Sequence, residues 1–285
     1  MVDFRERRFT SRDGLSLYFR DYGDPLSRAT PVLCLGGLTR NSKDFHGLAL
    51  WLAGQGRRAV CPDLRGRGRS QYDPDWRNYH PATYVDDLRH LLAVAGLHRA
   101  VVVGTSLGGV LAMALGAAQP AALVGVALND VGPVVARGPL APIVAYMADD
   151  RPLASWDEAA AKLRATFPDW PAHSPEEWLA VARITYRETP EGLRHDWDPN
   201  LVRPLLAEAG AGDVKLWPLF HSLDRIPLLV LRGETSAILP SALLEAMAAA
   251  RPDLRRAVIP NVGHAPGLAE PEARAALAEF LEKIP

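Results

Sequence analysis

One serine of the chain lies in a pattern that is typical of a catalytic nucleophile. Residues 104–109 read GTSLGG and place Ser106 between glycines. The apolar run at 100–103 predicts a buried strand before the serine, and the small apolar residues after it predict a helix. A Gly-x-Ser-x-Gly turn in that context strains the serine backbone and exposes its hydroxyl above the sheet. We therefore predict that Ser106 is a nucleophile; the alternative is a glycine-rich turn that only packs tightly or binds a phosphate.

The best-placed base for this serine is His264. A serine hydroxyl is a poor nucleophile unless a base lies within hydrogen-bond reach. His264 follows the last predicted strand and precedes the last predicted helix, which puts it at the sheet edge that also holds Ser106. We predict that it is the general base, a role worth ~10²–10⁴-fold in rate. A purely structural histidine is the alternative.

Two backbone N–H groups are candidates for stabilising the oxygen that gains charge during acyl transfer. The first belongs to Leu107, directly after the predicted nucleophile. The second belongs to Leu38, in the run GGLTRN at 36–41 that follows a predicted strand. Consecutive glycines let the backbone come close to a substrate, and losing one such donor typically costs about 3–4 kcal/mol. We predict an oxyanion hole at Leu38 and Leu107; a simple tight turn is the alternative.

The segments that must position these residues alternate between buried strands and helices. This alternation predicts an α/β fold with a mostly parallel sheet and helices on both faces. A hairpin of two strands is expected before it, at 7–10 and 15–20. The other predicted strands are 32–35, 59–62, 100–104, 123–130, 227–232 and 255–259, and the predicted helices are 42–54, 82–95, 107–119, 241–250 and 271–283.

The alternation breaks between residues 133 and 224. Helical patterns punctuated by proline replace it, and no convincing strand occurs there. We interpret 133–224 as a helical cap inserted into a core formed by 1–132 and 225–285. The helices expected in the cap are 156–166, 175–185 and 201–209.

Aromatic side chains are concentrated in this predicted cap. Five of the seven tryptophans lie in it. They either form the core of the cap or line a pocket over the serine, and both explanations stay open. These tryptophans are Trp156, Trp170, Trp178, Trp197 and Trp217.

Composition narrows the function classes. The chain has 285 residues, 48% hydrophobic side chains and a formal net charge of −1, which argues against nucleic acid or an anionic membrane as partner. No run approaches ~20 apolar residues, and residues 1–8 are not typical of a signal peptide. Cys34 and Cys61 lie in predicted buried strands, as free thiols do in a reducing compartment, and metal-ligand spacing is absent. We expect a soluble cytoplasmic protein that acts on a small molecule without metal or cofactor; its oligomeric state stays open.

Several motifs together resemble those of the α/β-hydrolase family over nearly the whole chain. They read, in order, LGGL at 35–38, DLRGRGRS at 63–70, GTSLGG at 104–109, LNDVGP at 128–133 and GHAP at 263–266. The resemblance implies an eight-stranded, mostly parallel sheet, a nucleophile–acid–histidine triad and a helical lid after the sixth strand. It makes Ser106 the nucleophile and His264 the base. Gly36 departs from the family pattern, in which many members carry histidine, but the oxyanion role rests on backbone.

The third member of such a triad is ambiguous in this sequence. Relatives usually carry the acid in the loop that here reads GETSAILP at 233–240, and Ala237 stands where aspartate is expected. In some lipases and dehalogenases the acid follows the sixth strand instead, where this chain has Asp130. Asp130 is therefore a candidate acid, a lost acid at Ala237 is the second account, and Glu234 is a distant third. Without a functional acid, kcat in a comparable enzyme falls ~10⁴-fold.

The loop at 63–70 contains three arginines and invites a phosphate-binding interpretation. In the family that the chain resembles, this segment is a structural loop that braces the sheet edge near the site. We favour the structural account.

Three functions follow from these residues. The leading hypothesis is a cofactor-independent serine hydrolase that cleaves carboxylic esters or lactones through an acyl-enzyme on Ser106. A carbon–carbon bond hydrolase or a perhydrolase would use the same triad. A ligand-binding protein that kept the pocket and lost turnover is a third hypothesis, which only the alanine at 237 supports.

Overall fold

Twelve strands are found in the computed structural model, which describes residues 3–172, 174–208 and 210–284. The strands are β1 (Arg5–Thr10), β2 (Ser16–Tyr22), β3 (Val32–Leu35), β4 (Ala59–Pro62), β5 (Ala100–Thr105), β6 (Leu123–Asn129), β7 (Val134–Val135), β8 (Tyr186–Thr189), β9 (Gly192–His195), β10 (Val214–Lys215), β11 (Leu228–Gly233) and β12 (Arg255–Ile259).

Eight of these strands form one sheet in the order β1-β2-β4-β3-β5-β6-β11-β12. The pairs β1–β2 and β2–β4 are antiparallel, and the pairs from β4 to β12 are parallel. The predicted α/β-hydrolase fold with its eight-stranded, mostly parallel sheet is therefore confirmed. The carboxyl ends of the parallel strands share one edge, where ligands bind in such folds.

Helices cover both faces of this sheet. The α-helices of the described residues are α1 (His46–Gly54), α2 (Pro81–Val94), α3 (Leu107–Ala118), α4 (Arg137–Ala148), α5 (Trp156–Thr166), α6 (Pro175–Thr185), α7 (Arg203–Ala207), α8 (Trp217–His221), α9 (Ser241–Ala250) and α10 (Pro271–Glu282).

The hydrophobic core is divided by the sheet into two layers. Successive residues of a strand point to opposite faces, so in β3 Leu33 and Leu35 belong to one layer while Val32 and Cys34 belong to the other. Helices α2, α3 and α9 pack in the first layer, and α1 and α10 pack in the second. Cys34 and Cys61 are both buried and free, in β3 and β4.

The segment between β6 and β11 (residues 133–224) is called the cap segment here, and its predicted secondary structure needs correction. No convincing strand is predicted there, whereas the structure has β7, β8, β9 and β10, paired as two small sheets. These strands are only two to four residues long and lack a readable period. Helix α4 is also missing from the prediction, because glycine and two prolines occur in its sequence. The division of the chain into a core and a cap stays a prediction.

Of the three helices predicted in the cap segment, two have the predicted bounds and one does not. Helices α5 and α6 have the predicted bounds. The predicted helix 201–209 is instead the 3-10 turn Pro199–Val202 followed by the short α7, and its last residue, Ala209, lies outside the described residues. No helix of the described part of the chain has the length and apolar character needed to cross a membrane.

The arginines of the loop at 63–70 contact the protein itself. Arg65 is 1% exposed and binds three carboxylates at 2.6–2.7 Å, those of Asp13, Asp73 and Asp87. Arg67 is fully buried and donates to backbone carbonyls and to a tyrosine hydroxyl. Arg69 pairs with Glu6 at the surface. This use of the three guanidinium groups supports the structural account of the loop.

We predict that Arg65→Met lowers the free energy of unfolding by about 3–5 kcal/mol, because it leaves the buried carboxylates of Asp73 and Asp87 without their cation. Urea denaturation followed by tryptophan fluorescence measures this. The matched control is Arg77→Met, which removes an exposed arginine paired with Asp75 and is expected to leave the transition midpoint in place. Equal midpoints for both variants would contradict a stabilising role of Arg65.

Candidate active site

The turn between β5 and α3 holds Ser106 in a strained conformation. Its φ of 52° and ψ of −115° lie outside the regions that side chains normally allow. Added Cβ atoms show why glycines surround it: at Gly104 the Cβ would lie 2.4 Å from the Gly108 carbonyl oxygen, and at Gly108 it would lie 2.1 Å from the Leu35 carbonyl oxygen. Strand, turn and helix therefore approach closely enough to force the serine out of the helix and above the sheet edge.

His264 hydrogen-bonds to this serine. It lies in the loop between β12 and α10, and its Nε2 is 2.9 Å from Ser106 Oγ. Its other ring nitrogen, Nδ1, is 2.7 Å from Asp130 Oδ2. The structure thus brings together three side chains that the sequence analysis names as candidates, although Asp130 and His264 are 134 positions apart.

Asp130 follows β6 directly and is completely buried. Its Oδ1 accepts a hydrogen bond from the Gly233 N–H at 2.9 Å. Its Oδ2 accepts a hydrogen bond from the Ser236 hydroxyl at 2.5 Å, and the same oxygen faces Nδ1 of His264. An ionised carboxylate is an acceptor only, so these contacts fit a carboxylate and place the histidine proton on Nδ1. His264 Nε2 is then free to accept the proton of Ser106.

The serine that supports this carboxylate was not identified from the sequence. Ser236 Oγ also accepts the N–H groups of Ile238 and Leu239, at 3.2 Å each. Its hydroxyl proton is therefore directed at Asp130. Its only sequence signal is its place in the motif GETSAILP, directly before the alanine that stands where aspartate is expected.

No hydrogen bond in the described part of the chain joins His264 to either of the two other positions proposed for the acid. Ala237 lines the cavity described below and has no ionisable group. Glu234 is exposed, and its carboxylate accepts the N–H of Asn261 at 2.9 Å. The aspartate missing at 237 therefore leaves no gap beside the histidine, because Asp130 occupies the position next to Nδ1.

Of the two residues predicted to form the oxyanion hole, Leu107 directly follows Ser106 and Leu38 shares the cavity wall with it. Leu107 is the first residue of α3, and the first N–H groups of a helix have no partner within it. Leu38 lies in the loop after β3, whose Gly37 approaches so closely that an added Cβ would be 3.7 Å from Ser106 Cβ. The Leu38 carbonyl accepts a hydrogen bond from Arg67 Nε at 3.0 Å, which fixes the loop.

A cavity of about 410 Å³ opens above these residues. Ser106 and His264 lie in its wall, together with Leu38. The rest of the wall is largely apolar and comes in good part from α4, α6 and the residues after α5. Among its apolar members are Pro142, Ile143, Tyr146, Phe167, Trp170, Trp178, Val181 and Ile184.

Some of the five tryptophans of the cap segment line the cavity, and the others pack within the cap segment itself. Trp170 and Trp178 line the cavity. Trp197 is 1% exposed and stacks on His195, with ring centroids 4.1 Å apart. The last two contact other parts of the cap segment: Trp156 lies under the Arg183 guanidinium, and Trp217 packs on Phe220 and His221.

His195 is enclosed by aromatic rings. Besides Trp197, the ring of Tyr186 stacks on it at 4.9 Å and Tyr146 contacts it edge-on at 4.8 Å. Burial, together with the nearby positive charge of Lys162, lowers the pKa of His195 to about 3. The imidazole is therefore neutral in the folded protein over the whole physiological range.

Comparison with known proteins shows the family and fold of the chain. Residues 32–277 match the sequence profile of the alpha/beta hydrolase family. The crystal structure of an alpha/beta hydrolase from Novosphingobium aromaticivorans superposes with a TM-score of 0.92, at 44% identity and with both chains fully covered.

Two curated hydrolases are similar in sequence over most of their length. A 3-hydroxybutyrate-oligomer hydrolase from Cupriavidus necator is 32% identical over 270 residues, which are 92% of this chain and 91% of that protein. A 2-(acetamidomethylene)succinate hydrolase from Mesorhizobium japonicum is 27% identical over 243 residues, 85% and 84% of the two chains.

The buried histidine generates a prediction about acid stability. In the unfolded chain His195 takes up its proton near pH 6.5, whereas the folded chain takes it up only near pH 3. Its contribution to stability is therefore full above pH 6.5 and is lost as the pH falls toward 3, by up to about 4–5 kcal/mol. We expect His195→Phe to lose less stability than the wild type between pH 7 and pH 4 in urea denaturation.

The exposed His98 provides the control for this experiment. His98→Gln is expected to keep the pH dependence of the wild type. If His195→Phe and the wild type lose stability in parallel on acidification, His195 is not the buried neutral group described here.

Proposed function

The chain belongs to the alpha/beta hydrolase family, and from this premise we propose that it hydrolyses carboxylic esters or lactones through an acyl-enzyme on Ser106. The observation that carries the proposal is the pair of hydrogen bonds at His264, with Ser106 Oγ on one side and the buried Asp130 carboxylate on the other. Through these hydrogen bonds Ser106 has a base within reach, and His264 is held in one tautomer. Nucleophilic catalysis by a serine requires both.

The first half of the proposed reaction forms the acyl-enzyme. His264 Nε2 takes the hydroxyl proton as Ser106 Oγ attacks the carbonyl carbon, and the carbonyl π electrons move onto oxygen. The N–H groups of Leu38 and Leu107 donate to this oxyanion, while the Asp130 carboxylate stabilises the imidazolium. Collapse of the intermediate breaks the bond to the alkoxy oxygen, which leaves as the alcohol with the proton from His264.

The second half releases the acid. Water gives its proton to His264 Nε2 and attacks the acyl carbon, again through an oxyanion held by Leu38 and Leu107. The C–O bond to Ser106 then breaks, and the proton returns from His264 to the serine oxygen. The products are one carboxylic acid and one free enzyme, so atoms and protons balance.

Two observations support an ester as the substrate. The cavity of about 410 Å³ has mostly apolar walls, which suit the hydrocarbon parts of a small or medium-sized ester. The 32% identical relative from Cupriavidus necator is named for the hydrolysis of 3-hydroxybutyrate oligomers, and the units of a hydroxy-acid oligomer are joined by ester bonds. Esters of short hydroxy acids are therefore the first substrates to test.

We predict that a fluorophosphonate probe labels the protein covalently and that Ser106→Ala abolishes the labelling, because the probe reacts with an activated serine hydroxyl. Intact-protein mass spectrometry measures the added mass. Thr235→Ala is the matched control and is expected to be labelled, since it also removes a hydroxyl of the cavity wall but keeps the nucleophile and the hydrogen bonds of Asp130. An unlabelled wild type would overturn the proposed acyl-enzyme and favour a ligand-binding protein.

We further predict that Asp130→Asn lowers kcat for a 4-nitrophenyl ester by about 10⁴-fold, since the amide no longer stabilises the Nδ1-protonated imidazolium. Steady-state kinetics measures the loss, with circular dichroism as a check on folding. Ala237→Asp is the complementary variant and is expected to bring no large gain, because Nδ1 already has a carboxylate. The assignment of Asp130 fails if its variant keeps full activity or if Ala237→Asp accelerates turnover by orders of magnitude.

A further inference from the structure

The polar side chains of the cavity wall include one cation and two carboxylates. Among the described residues that line it, Arg40 is the only arginine or lysine, and Asp44 and Asp169 are the acidic residues. Arg40 lies in the predicted oxyanion loop at 36–41, Asp44 lies four residues further along, and Asp169 belongs to the segment after α5. None of these charges is used by the reaction proposed above.

Arg40 is tightly paired with Asp44. Its Nε and Nη2 donate to the two carboxylate oxygens, both at 2.6 Å, which is the bidentate geometry of the strongest arginine pairs. Its Nη1 donates to Thr185 Oγ1 at 2.7 Å, and the guanidinium lies 5.0 Å from the ring centre of Trp170. The Arg40 side chain is only 12% exposed. Its position is therefore fixed and its charge is neutralised inside the wall.

The carboxylate of Asp169 adds a further negative charge to the cavity wall. Asp169 is exposed, and its position next to Gly263 puts it close to the loop of His264. Arg40 and Asp44 cancel each other, which leaves the Asp169 carboxylate as a negative charge of the wall without a lysine or arginine of the lining to balance it. A negatively charged group that enters the cavity meets two carboxylates and no unpaired cation among the described lining residues.

From these contacts we propose that the Arg40–Asp44 pair makes the cavity selective for esters whose enclosed part is uncharged, with Asp44 as the specificity-determining residue. This inference rests on the proposed ester hydrolysis. Three of the five N–H donors of Arg40 go to Asp44 and Thr185. The other two have no hydrogen-bond partner among the described residues, and we assign them to an uncharged substrate oxygen, such as a second ester carbonyl or a hydroxyl. A carboxylate gains little from a guanidinium whose charge is already balanced.

The test uses two esters that differ only in charge, 4-nitrophenyl methyl adipate and 4-nitrophenyl hydrogen adipate. We expect the wild type to prefer the methyl diester by at least about tenfold in kcat/KM, and Asp44→Asn to reduce this preference about tenfold by freeing the charge of Arg40. Asp75→Asn, the same change at a carboxylate that is paired with an exposed arginine outside the cavity, is the matched control. It is expected to leave the ratio at the wild-type value, because solvent screens that charge.

A second variant protects the test against a poorly folded Asp44→Asn. Arg40→Met leaves Asp44 unbalanced, so the preference for the neutral diester is expected to increase. The inference is overturned if the wild type cleaves both esters equally well, if it prefers the anion, or if both variants keep the wild-type ratio. Failure of the proposed function itself is distinct, since the wild type would then cleave neither ester and Ser106 would not react with a fluorophosphonate.

Discussion

The buried carboxylate of Asp130 is the contact on which the geometry of the site depends. It accepts hydrogen bonds from the backbone of Gly233 and from the hydroxyl of Ser236, and it faces Nδ1 of His264. An isolated charge in the interior costs several kcal/mol, and hydrogen bonds to a charged group contribute about 1.5–3 kcal/mol each. The carboxylate is therefore stable only when the ends of β6 and β11 and the histidine loop are all in place.

The sheet topology explains how residues so distant in sequence meet. Strands β5, β6, β11 and β12 are neighbours and run parallel. Their carboxyl ends lie along one edge, with Ser106 after β5, Asp130 after β6 and His264 after β12. The strained backbone of Ser106 comes from the same arrangement, because Gly108 packs directly against the Leu35 carbonyl of β3. Function and folding thus rely on the same close contacts.

Local sequence patterns are sufficient to predict the strands, helices and turns whose structure depends on neighbouring residues. Strands β3, β4 and β12 and helices α5, α6 and α9 have their predicted bounds, since short apolar runs predict buried strands and an apolar period of 3.6 residues predicts amphipathic helices. The turn at Ser106 and the loop at Leu38 were identified by their glycines. The order of the elements then placed His264 at the correct edge.

Features that depend on tertiary contacts could not be predicted from local sequence patterns. The sequence left three accounts of the acid open, because whether Asp130 reaches His264 depends on the relative position of two distant loops. The short strands of the cap segment pair with residues that local propensity does not reveal. The sequence analysis does not predict the pair of Arg40 and Asp44, whose guanidinium contacts Thr185 and Trp170 of a distant segment.

The most direct measurement is a crystal structure of the protein after reaction with a phosphonate ester, whose tetrahedral adduct mimics the intermediate of acyl transfer. The account predicts a bond from Ser106 Oγ to phosphorus and a phosphoryl oxygen about 2.7–3.1 Å from the backbone nitrogens of Leu38 and Leu107. It also predicts that His264 stays hydrogen-bonded to Asp130. An adduct on another residue, or a histidine that turns away from Asp130, would contradict it.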